Sequence, residues 1–201
     1  MATSDPKADL RRYLQQGRDA LLWKLEGLPE YHIRRPLVPT GTNLLGLVKH
    51  VTGCEIGYFG DTFGRPFPGP LPKAFTDMSA DAEPNADMYA APDESREMLT
   101  GLYRLVWVHS DETMDELELE STGQVPWWPE EVREVTLHRV LTHMIAETHR
   151  HAGHADIVRE LIDGSTGLRA SNPNLPTGVG PSWWAEYRDR VERAASAAGH
   201  D

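Results

Sequence analysis

Four histidines and a glutamate fall within twelve residues, His143 to His154, of a chain that has nine histidines in all. The surrounding stretch, Glu134 to Gly164, reads as one long amphipathic helix. Leu137, Leu141, Met144, Ile145, Thr148, Ala152 and Ala155 recur at the spacing of a buried face. At about 100° per residue, Glu147 and His151 fall almost in line with Val140 and Val158, at the edge of that face. His143 and His154 flank them on the more polar side, and His138 and His149 project elsewhere, toward solvent. A buried carboxylate needs a partner charge or a metal ion. Glu and His one turn apart can share one ion if another element supplies a further ligand.

That element is the segment LLGLVKHVTGCEIGYFGDTF, a second helix expected from Thr42 or Asn43 to about Phe63. Its Leu44, Leu47, Val48, Val51 and Phe59 make the apolar side, and His50 lies at the edge, one turn before Cys54. Gly46, Gly53 and Gly57 share the strip that contains His50. Each glycine costs about 1 kcal/mol in a helix interior relative to alanine. Either a neighbouring helix approaches closely there, or the strip leaves room for a ligand beside His50. A metal held by His50, Glu147 and His151 has three protein ligands and a vacant position, the pattern of catalytic sites. Three other readings stand beside it. A dinuclear carboxylate centre requires Glu-x-x-His on two helices; residue 150 is Arg and no second copy exists, so it is rejected. Cys54 with His50 as base can form a nucleophilic dyad. Finally, a histidine-rich helix can simply be soluble, with no site at all.

The remaining elements must hold these two helices together. A first helix is expected from Pro6 to Glu26, capped by Ser4 and stopped by Gly27, with Leu10, Leu14, Gly17, Leu21 and Leu25 inward. A connector bracketed by Pro29, Pro36 and Pro39 follows, with His32 at the surface. Prolines at 66, 68, 70 and 72 forbid a helix and send the chain across the surface toward Pro92. Such a long connection lets the next helix begin at a distant end of a bundle. The third helix runs from Asp93 to Leu117, with Asp93, Glu94 and Glu97 in its first turns and His109 facing inward. Trp127 and Trp128, between two prolines, form an aromatic plug before the fourth helix. After an irregular run from Ser165 to Pro181, a last helix from Ser182 to Ala198 turns Trp183, Trp184, Tyr187 and Val191 toward the body. No strand of convincing alternation is present. The reading is all-α, one domain over 1–201, with a bundle core of about 5–164.

Length, at 201 residues, suits one domain with a real core. A net charge of −11 argues against nucleic acid or anionic membrane as a main partner. A single cysteine excludes an intramolecular disulfide and a thiolate-rich zinc site. No apolar run approaches the roughly 18 residues of a membrane span, and the N-terminus lacks a signal peptide's apolar core. A cytoplasmic, soluble protein is the expectation, with a homodimer suggested by the tryptophans outside the bundle.

The blocks LLWKLEGL, RRPLVPTGTNLLGLVKHVTG, VPWWPE and ETHRHAGHADIVRELIDG resemble the DinB-like superfamily. Within it they resemble an actinobacterial branch close to mycothiol-dependent isomerases and S-transferases. The resemblance covers nearly the whole chain; the proline-rich crossover and the C-terminal tail are its least distinctive parts. It implies a four-helix bundle with a long crossover between helices 2 and 3, here with an extra C-terminal helix. It also implies a divalent metal bound by one residue of the second helix and two of the fourth. Carried over, these are His50, Glu147 and His151. Many relatives have His-x-x-x-His on the fourth helix; a His, Glu, His set matches the maleylpyruvate isomerase branch. His154 stands where many relatives have Gln, and is expected to support the site or face substrate. Zinc is the first expectation, with Ni, Fe or Mn as alternatives, because these donors suit all four. The implied activity is transfer of a low-molecular-weight thiol such as mycothiol to an electrophilic small molecule. The alternatives are a protein that binds and sequesters a small molecule, and a metal-dependent hydrolase without a thiol cofactor.

Overall fold

In the computed structural model, which describes residues 5–77 and 79–199, Asp5 caps the first helix. Its carboxylate accepts a hydrogen bond from the Lys7 amide at 3.0 Å, and Pro6 occupies the first turn. Ser4, the expected cap, lies outside the described residues. Helix α1 spans Pro6–Trp23, and the chain turns through Gly27 at φ 72. The connector holds a short helix, α2 (Glu30–Arg34), with Ile33 buried and His32 half-buried rather than at the surface.

Helix α3 (Leu44–Glu55) starts at Asn43, whose side chain accepts from the Gly46 amide at 2.8 Å. It continues through a π-helical turn, Ile56–Gly60, and a 3-10 turn, Asp61–Phe63, so the helical path ends where expected. The crossover contains a single helical turn, α4 (Lys73–Thr76), and a 3-10 turn, Ala86–Met88. Helix α5 (Arg96–Glu116) is capped by Ser95, so Asp93 and Glu94 precede it. Glu94 is not free to serve the helix dipole, because its carboxylate accepts from Lys49 and from the Ala91 amide, each at 2.7 Å.

The expected fourth helix is shorter at its start. Glu134–Thr136 is a strand, β2, paired antiparallel with β1 (Thr122–Gln124) in the register Thr122↔Thr136, Gly123↔Val135 and Gln124↔Glu134. Two three-residue strands are too short to display alternation, which is why a sequence without strand patterning still contains a ribbon. Thr136 then caps α6 (Leu137–Asp163), which ends at Gly164 with φ 79.

Helix α1 packs on α6, and α3 packs on both α5 and α6. These four long helices make an all-α, DinB-like bundle with its crossover between the second and third. Leu21, Leu44, Leu47, Val51 and Tyr103 fill one part of the core, and Leu14, Phe59, Met114, Leu141 and Met144 another. A buried ion pair ties the bundle together: Arg18 reaches Glu55 through Nε at 3.0 Å and Nη2 at 2.7 Å. Its Nη1 reaches Asp111 on α5 at 2.9 Å.

The glycine strip of the second long helical path is covered by the crossover, including its short turn α4, and by the tryptophan plug. A Cβ on Gly46 would stand 1.8 Å from the Met88 carbonyl oxygen, one on Gly53 2.8 Å from the Phe75 ring, and one on Gly57 2.5 Å from Trp127. The crossover and the tryptophan plug lie directly on the helix. Gly46→Ala therefore has to push the crossover backbone away. We expect it to cost about 1–3 kcal/mol or more in urea denaturation.

Helix α7 (Pro181–Ala197) departs from expectation. None of its residues is buried, and Tyr187 and Val191 are 42% and 52% exposed. Trp183 and Trp184 are half-buried, and the Trp183 and Tyr187 rings stack on one another at 5.3 Å. A period-matched aromatic stripe specifies a face, not what covers it.

Candidate metal centre

His50 is presented by α3, and Glu147 and His151 by α6. Among the described residues these three offer ligand atoms that all lie within 4.8 Å of one another. Glu147 Oε1 is 2.9 Å from His151 Nε2 and 3.6 Å from His50 Nε2, and the two imidazoles meet edge to face at 4.7 Å. Bonds of about 2.1 Å to a tetrahedral ion put ligand atoms roughly 3.4 Å apart. The observed separations bracket that edge, and two imidazoles with one carboxylate suit a divalent ion of the zinc type. His151 is buried, and His50 and Glu147 are partly open.

The outer contacts of these side chains come from places that helical spacing does not reach. Asp87, on the 3-10 turn of the crossover, places Oδ2 2.6 Å from His50 Nδ1. It is the residue that the sequence reading missed. Neighbouring Lys49 holds that turn in place, donating to the Ala86 and Tyr89 carbonyls at 2.8 and 3.0 Å and to Glu94 at 2.7 Å. Asn43 Nδ2 adds a bond to the Met88 carbonyl at 3.1 Å. His50 is thus held from behind by a carboxylate that accepts from Nδ1, leaving Nε2 toward Glu147. His154 is exposed, yet its Nδ1 lies 3.4 Å from His151 Nδ1, making it the outer partner of that ring. His143 is elsewhere, against Tyr58 at 4.5 Å and Trp128 at 5.7 Å. His149 is half-buried, with Nε2 3.0 Å from the Tyr13 carbonyl on α1, and only His138 of that pair is solvated. His109 is half-buried against Phe67. Trp128 joins the core and donates to the Tyr58 hydroxyl at 3.2 Å, while Trp127 is 52% exposed.

Electrostatics divide the triad. Burial opposes the charged form of His50, but hydrogen bonds to Asp87 and Cys54 and their charges outweigh it, raising its pKa to about 10. The bond from His50 keeps the Asp87 carboxyl below its usual range, although burial opposes this. Burial pushes Glu147 up, and the hydrogen bonds and charges of His151 and His50 pull it below its ordinary value. Burial lowers His151, with the charges of His50 and His154 adding to it.

Two outcomes follow. A metal ion at His50 must displace a proton from a ring whose pKa is near 10. Metal affinity should therefore fall about tenfold for each pH unit lowered across the neutral range, read by competition with a chromophoric chelator. The sign is opposite for the metal-free fold. A folded pKa raised from 6.5 to about 10 gives stability that is fully present below 6.5 and lost as pH rises through 10. Asp87→Asn should weaken metal binding by about 10–100-fold in the same titration, because His50 loses its orienting carboxylate.

The described residues thus form an all-α bundle with a His, Glu, His cluster between its second and fourth long helices, a set of donors able to hold a divalent ion. A family model for mycothiol S-transferases matches residues 9–164, from within α1 to the end of α6. The chain belongs to that family. No curated protein sequence matches it. Among the described residues, no helix is long and apolar enough to cross a membrane.

Proposed function

We propose that the protein is a divalent-metal-dependent transferase that joins a low-molecular-weight thiol of the mycothiol type to an electrophilic small molecule. The observation that carries this reading is the convergence of His50, Glu147 and His151 donor atoms within 4.8 Å in a chain of this family. These three residues would hold the ion, zinc before nickel, iron or manganese. When bound, the ion supplies Lewis acidity that turns a thiol into a thiolate at neutral pH.

The chain's own residues do the rest. Asp87 accepts a hydrogen bond from His50 Nδ1 and fixes which ring nitrogen faces inward. His154 fixes the His151 ring from the solvent side. Glu147 brings a negative charge, which lowers the net charge of the complex relative to three histidines. All three ligands come from one chain, so a homodimer is not needed to complete the site.

The test is a thiol-conjugation assay with monobromobimane on metal-loaded protein, with and without mycothiol. Saturable, metal-dependent conjugation is expected. Tight binding of small molecules with no turnover of any thiol would overturn it in favour of a sequestering protein. One contact favours a second reading: Cys54 Sγ lies 3.6 Å from His50 Nε2, and Asp87 backs the same ring. That is a cysteine, base and orienting carboxylate in order. Cys54→Ser separates the two, leaving conjugation intact under the metal reading and abolishing it under the cysteine reading.

A further inference from the structure

An open cleft of about 840 Å³ lies away from the triad, between the crossover and the outer face of α5, and neither His50, Glu147 nor His151 lines it. Its size falls within the roughly 300–1,000 Å³ of small-molecule pockets. The cleft touches the metal centre only through its wall: Ala86 faces the cleft, and the next residue, Asp87, holds His50.

The lining is of two kinds. The floor is apolar, made by Phe67, Leu71 and Leu102 of a small separate core cluster, with Met98 and Leu105 beside them. Met98 and Leu105 are 43% and 62% exposed, a cost in water that a ligand would remove. Pro70 and Pro72 stiffen one wall, so little of it has to be ordered on binding. The rim is acidic. Lys49 and Lys73 line the cleft but are already paired, with Glu94 at 2.7 Å and Asp77 at 3.5 Å. Beyond those pairs stand Asp81, Glu83, Asp93 and Glu97.

We propose that this cleft is a second ligand site, which takes a small amphiphilic organic cation: an apolar or aromatic body on the Phe67, Leu71 and Leu102 floor, with an ammonium-type group at the Asp81, Asp93 and Glu97 rim. An anion of the same shape is repelled by the rim, and a neutral body gains the floor alone. The site is independent of the metal reading.

Two fluorescent probes with one body isolate the charge: diphenylhexatriene and its trimethylammonium derivative, titrated into the full-length protein. Saturable binding of the cation is expected, at least ~10-fold tighter than the neutral probe and weakened by salt. A Cβ on Gly101, which lines the cleft, meets nothing within 4 Å, so Gly101→Trp can fill the space without disturbing the helix. That variant should lose the cation while keeping its circular dichroism and its thermal melting temperature. The double change Asp93→Lys with Glu97→Lys should reduce the two affinities to near equality. The proposal is overturned if the neutral probe, or anionic anilinonaphthalene sulfonate, binds as tightly as the cation. It is equally overturned if Gly101→Trp, still folded, binds the cation unchanged. A dimer in sedimentation that Gly101→Trp dissociates would show the cleft to be covered by a second copy, and would also overturn it.

Discussion

His151→Ala is expected to abolish divalent-metal binding at the proposed centre and to leave the bundle folded. The ring is one of three converging donors and the buried one. Removing it leaves His50 and Glu147, on two different helices, as the remaining candidate donors among the described residues. Outer partners such as Asp87 are worth about 10–100-fold in metal affinity, so the loss of a direct ligand should exceed ~100-fold. His50→Ala should match it. Glu147→Gln should fall in the same range, because the amide keeps the shape but removes the charge that offsets the ion. Metal content of the purified variants, with thermal melting of their metal-free forms as a folding control, reads the result. A His151→Ala protein that still carries stoichiometric zinc would remove His151 from the site. Wild-type protein that is folded and shows no affinity for zinc, nickel or manganese would remove the site altogether.

Arg18→Met should produce the largest loss of stability. Arg18 is 1% exposed and Glu55 fully buried, and they meet through two hydrogen bonds at 2.7 and 3.0 Å. Glu55 and Asp111 keep the guanidinium charged despite its burial. Methionine roughly fills the stem but leaves the Glu55 carboxylate buried without its cation. Breaking a buried pair from one side costs about 3–5 kcal/mol. Urea denaturation should show a shift of that order, and the melting temperature should drop by about 10 °C or more. The double variant Arg18→Met with Glu55→Leu should recover most of the loss, because an apolar pair needs no desolvated charge. A double variant as unstable as the single one would mean that packing of the Arg18 stem, not the unpaired carboxylate, sets the cost.

Arg18 shows how far a helical pattern can be followed. Leu10, Leu14, Gly17 and Leu21 mark the inner side of α1, with Leu25 buried just past its end, yet Arg18 sits in the same interior because Glu55 waits on α3. Gly17, within that stripe, lies against Thr148 and His149 of α6, so its lack of a side chain sets how closely those helices approach. His149, assigned to solvent from its angle on α6, turns instead to the Tyr13 carbonyl. Each of these depends on which helix is the neighbour. Periodicity assigns a residue to a side of its own helix and carries no information about what faces it.

The local features of this protein were determined by sequence alone. Asn43 and Gly164 mark helix ends because side-chain caps and positive φ act over three or four residues. Glu147 and His151 share a face because 3.6 residues make a turn. Prolines 66 to 72 exclude a helix because their backbone nitrogens have no proton to donate. What only the tertiary structure decided is long-range. His50 and Asp87 are 37 residues apart, joined across a crossover whose path is fixed by Lys49, Asn43 and the bare surface of Gly46. The ribbon of Thr122–Gln124 with Glu134–Thr136 exists only because each short segment finds the other. On α7, equally regular in sequence, Trp183 and Trp184 are only half-buried and Tyr187 and Val191 stay exposed, because regularity cannot supply a partner. Nearest-neighbour chemistry thus settled the helices and the placing of Glu147 and His151 on one face. The ring's orienting carboxylate and the covered glycine strip had to wait for the chain to fold back on itself.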